Sequence, residues 1–213
     1  MAGFPLVYEP DRNRASFAFD AGFFARLEEW AAALGDTLPA APTQLWTYGS
    51  WVDGSGSCDS WHHAGRAFDL ARVRLADGSD VSCRYDRWRT FDGSALDAAR
   101  RSYWSLAAGL HRRFCYVLTY LYDGQHANHI HIDNGRSGDA DSTFSPRSRV
   151  QVQAVQALCR YLWDEPVDLS GQWDSGTRRA VGRVLGRLGL DGDLTSAGSW
   201  PGLLDASAAR GRG

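Results

Sequence analysis

The sequence predicts an α+β protein, because segments with helical periodicity are interspersed with short segments of strand composition. Apolar residues recur at helical spacing over residues 17–34, and residues 94–113 are rich in alanine, leucine and arginine. Asp-Gly pairs at 77–78 and 123–124 follow apolar runs and indicate the turns of antiparallel hairpins. Segments with strand composition lie at 44–52, 66–75, 80–85, 114–122 and 129–133.

The first predicted helix has recognisable ends. Asp20 is a suitable N-cap and Gly35 is a suitable C-terminal stop. Between them, apolar side chains follow one another at intervals of three or four residues, at Phe23, Leu27, Trp30 and Leu34. This spacing predicts a helix that buries one face.

The composition changes after residue 133, which predicts two domains. Residues 134–149 are rich in glycine, serine, aspartate and arginine. We predict a first domain over residues 1–140, a linker over 141–149 and a three-helix domain over 150–207.

The composition also limits the class of protein. The chain has 213 residues, of which 44% are hydrophobic and 23% charged, as in a folded globular protein. No apolar run is long enough for a membrane span, and a net charge of −2 gives no electrostatic basis for binding nucleic acid. All 23 basic residues are arginine, which excludes lysine-dependent chemistry such as Schiff bases and phosphate-binding loops.

The four cysteines do not form a Cys-x-x-Cys pair, so a cysteine zinc cluster is not expected. Two alternatives remain for them. One is a disulfide between Cys58 and Cys83, which flank the first histidine motif; the other is four reduced thiols.

Five of the six histidines lie in two short segments, a pattern expected for a metal site. The first segment contains His62 and Asp69, and the second contains His129, His131 and Asp133. Imidazole nitrogens and carboxylate oxygens are common zinc ligands. Because side chains two residues apart on a strand share a face, the second group is expected to face one cavity. There Asp133 would accept a hydrogen bond from a ligand imidazole.

The remaining histidines have simpler interpretations. His63 and His126 are assigned to exposed or outer-shell positions on spacing alone. His111 lies in an arginine-rich helical stretch and is assigned a structural position.

The two histidine segments together resemble a known family. The first matches every fixed position of the pattern S-x-H-x-x-G-x-A-x-D, and a His-x-His pair follows downstream. The matching residues are Ser60, His62, Gly65, Ala67 and Asp69. Over about residues 17–135 the chain is similar to the zinc D-alanyl-D-alanine carboxypeptidase family, including its extensin-like C-terminal branch. The resemblance implies a small antiparallel-sheet domain like that of lysostaphin-type peptidases and the hedgehog signalling domain.

The resemblance also implies roles for single residues. His62, Asp69 and His131 occupy the positions of three zinc ligands, and His129 occupies that of a non-ligand histidine that assists catalysis. A zinc ion held in this way activates water for attack on an amide carbonyl, and His129 would move the proton. The candidates for substrate contact are Ser60, Tyr48 and Arg66.

The sequence departs from the family at positions that bear on substrate preference. The glutamate base that some members carry three residues before the last ligand is Asn128 here, and Trp61 replaces a glutamate before the first ligand. Many members have an arginine near residues 48–51 that holds a carboxylate or an oxyanion, and this stretch has none. Arg66 or Arg84 could substitute for it.

Residues 150–205 resemble a three-helix peptidoglycan-binding module. The similar elements are a Val-Gln-x-Val-Gln-x-Leu run and the segments 171–181 and 199–204. Their tryptophans, Trp173 and Trp200, are interpreted either as core residues or as platforms for a sugar ring.

These resemblances predict zinc-dependent hydrolysis of peptide bonds in bacterial peptidoglycan, at a D-Ala-D-Ala terminus or at a cross-link. The alternatives are a non-catalytic peptidoglycan-binding protein with a structural zinc ion, and a lysostaphin-like endopeptidase for a different bridge. The expected partners are peptidoglycan or its stem peptides, and the expected state is a monomer. We expect action at the cell wall. Residues 1–11 contain no recognisable secretory signal, which leaves three routes open: release as a phage-type lysin, leaderless export, or export with a leader that has been removed.

Overall fold

The computed structural model describes residues 1–50 and 60–212, and these residues confirm the α+β class. The strands are β1 (Leu6–Tyr8), β2 (Pro42–Gly49), β3 (Ala67–Leu75), β4 (Asp80–Ser82), β5 (Tyr116–Leu118) and β6 (Ile130–Asp133). The α-helices are α1 (Ala21–Ala33), α2 (Tyr85–Trp88), α3 (Gly93–Arg113), α4 (Arg149–Leu162), α5 (Ser175–Leu188) and α6 (Ser199–Ala209). Short 3₁₀ helices lie at Leu34–Asp36, Trp61–Ala64, Gly124–Ala127 and Arg210–Arg212.

The described strands form one mixed sheet, so the prediction of an antiparallel sheet is wrong in one respect. The strand order is β1-β2-β3-β6-β5, and β4 pairs with β3. All neighbours are antiparallel except β1, which pairs with β2 in parallel. Helix α1 lies between these two strands in the chain, and such a crossover is what a parallel pair requires.

The first helix forms where its ends and its spacing predict it. Helix α1 begins after Asp20, whose carboxylate accepts a hydrogen bond from the Phe23 backbone nitrogen at 3.0 Å. Its apolar face, including Leu27 and Trp30, is buried. Gly35 lies in the 3₁₀ turn that follows the helix.

Two strand predictions extend too far. The segment predicted at 114–122 forms a strand only over β5, because Thr119 begins a turn in which its carbonyl accepts from the Tyr122 nitrogen at 2.9 Å. Tyr120 leaves the sheet and stacks on Tyr85 with ring centroids 4.0 Å apart. The segment predicted at 80–85 likewise pairs only over β4 before α2 begins.

Three α-helices occupy the C-terminal region, and they pack onto the rest of the chain. Helices α4 and α6 both pack against α3, and the buried apolar side chains form one continuous cluster. Part of the predicted linker joins this packing, because Phe144 contacts the rings of Trp173 and Trp200 at centroid distances of 4.9 and 5.3 Å. The Trp200 indole nitrogen donates to the Ser142 hydroxyl at 3.1 Å. The division into two domains stays a prediction.

Cys83 and Cys159 are buried free thiols, and Cys115 is a half-buried free thiol. Cys58, the other half of the predicted disulfide, lies outside the described residues. Within the described ranges, no helix combines the length and the apolar character needed to cross a membrane.

Candidate metal centre

The pairing of β3 with β6 places the two histidine segments side by side. In this antiparallel register Asp69 lies opposite His131, so both side chains project from the same face of the sheet. His62 comes from the 3₁₀ helix immediately before β3. A short connection therefore delivers the third side chain to the same place.

The fixed small residues of the first motif shape the turn that carries His62. The Ser60 hydroxyl accepts from the His62 backbone nitrogen at 3.3 Å and caps the 3₁₀ helix. Gly65 ends this helix with a φ of 66°, and a Cβ at this position would lie 2.9 Å from the Asp20 backbone nitrogen. The motif thus supplies a glycine that the backbone conformation requires, in addition to side chains with potential ligand atoms. Ser60 is observed as a cap; its predicted contact with substrate stays a prediction.

Three side-chain atoms converge at the centre of the site. His62 Nε2 lies 3.2 Å from His131 Nδ1 and 3.3 Å from Asp69 Oδ1. His131 Nδ1 lies 2.8 Å from the same Asp69 oxygen. These side chains could hold a metal ion. They are 14–18% exposed, so the cluster is open to solvent on one side.

The outer nitrogen of each histidine faces an acceptor, which fixes the character of the inner nitrogen. His62 Nδ1 donates to the Ser50 carbonyl at 2.6 Å, and His131 Nε2 faces Asp133 Oδ2 at 3.4 Å. A neutral imidazole carries one proton, so with both histidines neutral, as a metal ion requires, His62 Nε2 and His131 Nδ1 would be left as acceptors. Together with the Asp69 carboxylate they would form a set of three ligand atoms that could hold a cation.

The ionisation of the metal-free cluster reflects the same arrangement. Burial raises the pKa of Asp69, but hydrogen bonds from His131 and His62 outweigh it and hold the pKa well below its usual range. Burial lowers the pKa of His131, but hydrogen bonds to Asp133 and Asp69 outweigh it and raise the pKa to about 9. A proton therefore occupies the metal-free cluster, and it competes with any metal ion.

His129 lies at the edge of the cluster with one nitrogen directed inwards. Its Nδ1 donates to Asn128 Oδ1 at 2.6 Å, which leaves Nε2 as an acceptor 3.4 Å from Asp69 Oδ1. Burial lowers the pKa of His129 to about 4, so its imidazole is neutral at pH 7. The Tyr48 ring lies edge-on to it at a centroid distance of 6.0 Å.

The two arginines considered as replacements for the family arginine have protein partners. Arg66 donates to the side-chain and backbone oxygens of Asn134 at 3.1 and 3.2 Å, and so fixes the chain after β6. Arg84 binds Asp86 at 2.7 Å and Glu9 at 3.1 Å. Neither guanidinium is directed to the metal cluster by these contacts.

His126 joins the site, although its spacing in the sequence assigns it an outer position. Its Nδ1 donates to Asp123 Oδ1 at 2.6 Å, and its ring lies 5.3 Å from that of His129. His126, His129 and His131 form a second group that could hold a metal ion. The signal available in the sequence is the clustering of these three histidines, but only the 3₁₀ turn before β6 shows that the first of them folds inwards.

Comparison with known families gives one match that covers this site. Residues 50–142 match the model of a family described as Extensin-like protein C-terminus. The matched range includes all the residues that converge here, from His62 to Asp133. Comparisons with curated proteins and with solved structures gave no match.

Proposed function

We propose that the chain is a zinc-dependent hydrolase of peptide bonds in bacterial peptidoglycan. The observation that carries this proposal is the convergence of three acceptor atoms from His62, Asp69 and His131. Their separations of 2.8–3.3 Å approach the edge of a tetrahedron around zinc, which is about 3.3 Å for bonds of about 2.0 Å. Two histidines and one carboxylate with a fourth position open to water also form a donor set used by catalytic zinc sites.

The residues around the cluster support a role in amide hydrolysis. A bound zinc ion would supply a Lewis acid that polarises the carbonyl and activates water. His129 keeps an unprotonated Nε2 at the edge of the cluster, 3.4 Å from Asp69 Oδ1, where it could accept a proton and return it to the leaving amine. Asn128 holds the tautomer through its contact with Nδ1. Asn128 stands where some relatives have a glutamate base. Here it would orient His129, the proton acceptor, instead of acting as a base itself.

The substrate class rests on two resemblances. The motif around His62 resembles that of D-alanyl-D-alanine carboxypeptidases, and the family match over residues 50–142 supports the extensin-like part of this resemblance. The C-terminal helices resemble a peptidoglycan-binding module. Trp200 is only 2% exposed and belongs to the core, so the half-buried Trp173 is the better candidate for contact with a sugar.

A second candidate function is a non-catalytic peptidoglycan-binding protein with a structural zinc ion. The contacts of Arg66 and Arg84 favour it, because both guanidinium groups bind protein partners and neither supplies the carboxylate anchor found in many relatives. This candidate predicts wall binding and bound zinc without release of peptides.

The test is digestion of purified peptidoglycan by the full chain, with released fragments identified by mass spectrometry and zinc measured on the same sample. We expect wild type to release fragments with one new carboxyl and one new amino group per cleavage. His131→Ala should lose both zinc and cleavage, whereas His129→Ala should keep zinc and lose most cleavage. Bound zinc without fragments from wild type would overturn the peptidase and favour the binding protein.

A further inference from the structure

A groove of about 700 Å³ opens beside the metal cluster and has a basic wall. We call it the arginine groove, after Arg136, Arg147 and Arg149, which line it. Its lining also includes Trp61, the neighbour of His62, and Asp133, the partner of His131. The groove therefore adjoins the candidate metal centre through Asp133.

The charge of the groove is strongly one-sided. Among the described lining residues, Asp133 is the single acidic one, and its carboxylate already faces His131 and accepts from the Gly135 nitrogen at 3.1 Å. Arg136, Arg147 and Arg149 are exposed. Three guanidinium groups around one groove favour a ligand that carries several carboxylates, which arginine binds in a bidentate manner.

The first turn of α4 adds to this preference. Ser148, Arg149 and Gln151 at the start of this 14-residue helix line the groove, and the Ser148 side chain makes no capping hydrogen bond. The free backbone N–H groups and the dipole at a helix N-terminus stabilise a bound anion. These backbone N–H groups act in the same direction as the three arginine side chains, one of which, Arg149, begins the helix.

The wall of the groove is held in place before any ligand arrives. Gln151 is buried, and its side-chain amide donates to the Thr143 carbonyl at 2.8 Å. Its side-chain oxygen accepts from the Ser145 nitrogen at 2.8 Å. Trp61 packs on Gly135, where a Cβ would collide with the indole ring. Fixed walls reduce the entropy that binding would otherwise cost.

The geometry points to the arginine groove as the site for the side-chain carboxylates of a peptidoglycan stem peptide, which it would hold against the metal centre. This inference rests on the proposed function, because it names the part of the substrate that lies next to the cleaved bond. The aromatic rings of Trp61 and Tyr122 line the same groove and would cover the apolar parts of the peptide. The Arg149 guanidinium lies 5.6 Å from the Tyr122 ring, so it faces the groove over an aromatic support.

The test compares binding of two fluorescent stem pentapeptides to the full chain by anisotropy at 4 °C. One peptide has free side-chain carboxylates and the other has these groups amidated, and both keep the terminal carboxylate. We expect wild type to bind the free form at least about 10-fold more tightly. The reason is that two charge-assisted arginine–carboxylate pairs contribute more binding free energy than a 10-fold change in Kd requires. The double variant Arg147→Gln and Arg149→Gln should lose the preference.

The matched control removes two charges elsewhere. Arg89→Gln and Arg179→Gln change exposed arginines outside the groove, and this double variant should retain the preference of wild type. The inference would be overturned if wild type bound both peptides equally. It would also be overturned if the control variant lost the preference as fully as the groove variant. Because binding is measured separately from fragment release, failure of the groove and failure of the peptidase give different results.

Discussion

The half-buried His131 and the fully buried His111 have surroundings that are opposite in character. His131 lies between Asp69 and Asp133 in the metal cluster. His111 lies in α3 against the Trp200 ring of α6, and neither of its ring nitrogens meets a hydrogen-bond partner among the described residues. Burial lowers the pKa of both, but carboxylate partners raise that of His131 to about 9, whereas burial alone takes that of His111 to about 3.

This comparison separates a polar region that could hold a cation from an apolar region of close packing. Around His131 the side chains present acceptors to one point, and their arrangement costs stability unless a cation or a proton lies there. Around His111 the helices bury leucine and tryptophan, and the neutral ring serves as part of the packing. A substitution in one of these two regions should leave the properties of the other region unchanged.

The largest expected effect is the loss of a metal ligand. His62→Ala should weaken zinc binding by more than about 100-fold, because loss of a ligand exceeds the 10–100-fold effect of outer partners. His126→Ala is the matched control and should change the dissociation constant by only a few fold. Competition titration with a chelating indicator measures both. A larger loss of zinc affinity in His126→Ala than in His62→Ala would place the metal in the group of His126, His129 and His131 instead.

The next effect tests the packed region. Leu203 in α6 is fully buried, so Leu203→Ala should lower the free energy of unfolding by about 2–5 kcal/mol. Denaturant unfolding measures this loss, and the zinc affinity of the folded variant should match wild type. A change of zinc affinity beyond about threefold would show that packing in the helical region controls the metal cluster.

A smaller effect is expected in the backbone of the motif. Gly65→Ala places a Cβ against the Asp20 backbone nitrogen at a positive φ, and should reduce stability by about 1–3 kcal/mol. In the helical region Gly182→Ala meets no neighbour within 4 Å and should stabilise α5 by about 0.5–1 kcal/mol. Thermal unfolding of both variants checks the contrast. Equal shifts would contradict a special role for the motif glycine.

The smallest effect is a difference in pH dependence. The unfolded chain protonates His111 near pH 6.5, whereas the folded chain keeps it neutral to about pH 3, so stability falls as the pH decreases through 6.5. Between pH 7 and pH 5.5 this histidine should account for about 1 kcal/mol of lost stability. Chelator-treated wild type and His111→Phe, compared by urea unfolding, isolate this contribution. If the free energy of unfolding changed equally with pH in both proteins, His111 would not be the source of the pH dependence.

The sequence predicts those parts of the fold that local patterns determine. The cap and apolar spacing of α1 identify that helix, and the alternation of His131 and Asp133 identifies β6, which begins one residue after His129. It overextends β5, because the apolar and aromatic run includes Tyr120, which tertiary packing draws out of the sheet into an aromatic cluster. Strand β1 is not predicted, since three residues give no readable alternation.

The candidate site divides in a similar way. The motif brings His62, Asp69 and His131 to attention, and the strand register explains how they meet. The Ser50 carbonyl behind His62 and the inward turn of His126 cannot be read from residue types, because backbone direction decides both. The arginine groove likewise arises only when residues 136–151 fold against β5 and β6.

The central claim is that His62, Asp69 and His131 bind one zinc ion, and X-ray absorption of the zinc-loaded protein tests it most directly. The account predicts a first shell of two imidazole nitrogens and one carboxylate oxygen, at about 2.0–2.2 Å, with one further oxygen from solvent. A first shell of three imidazoles would place the metal among His126, His129 and His131 instead. Sulfur in the first shell would contradict both histidine sites.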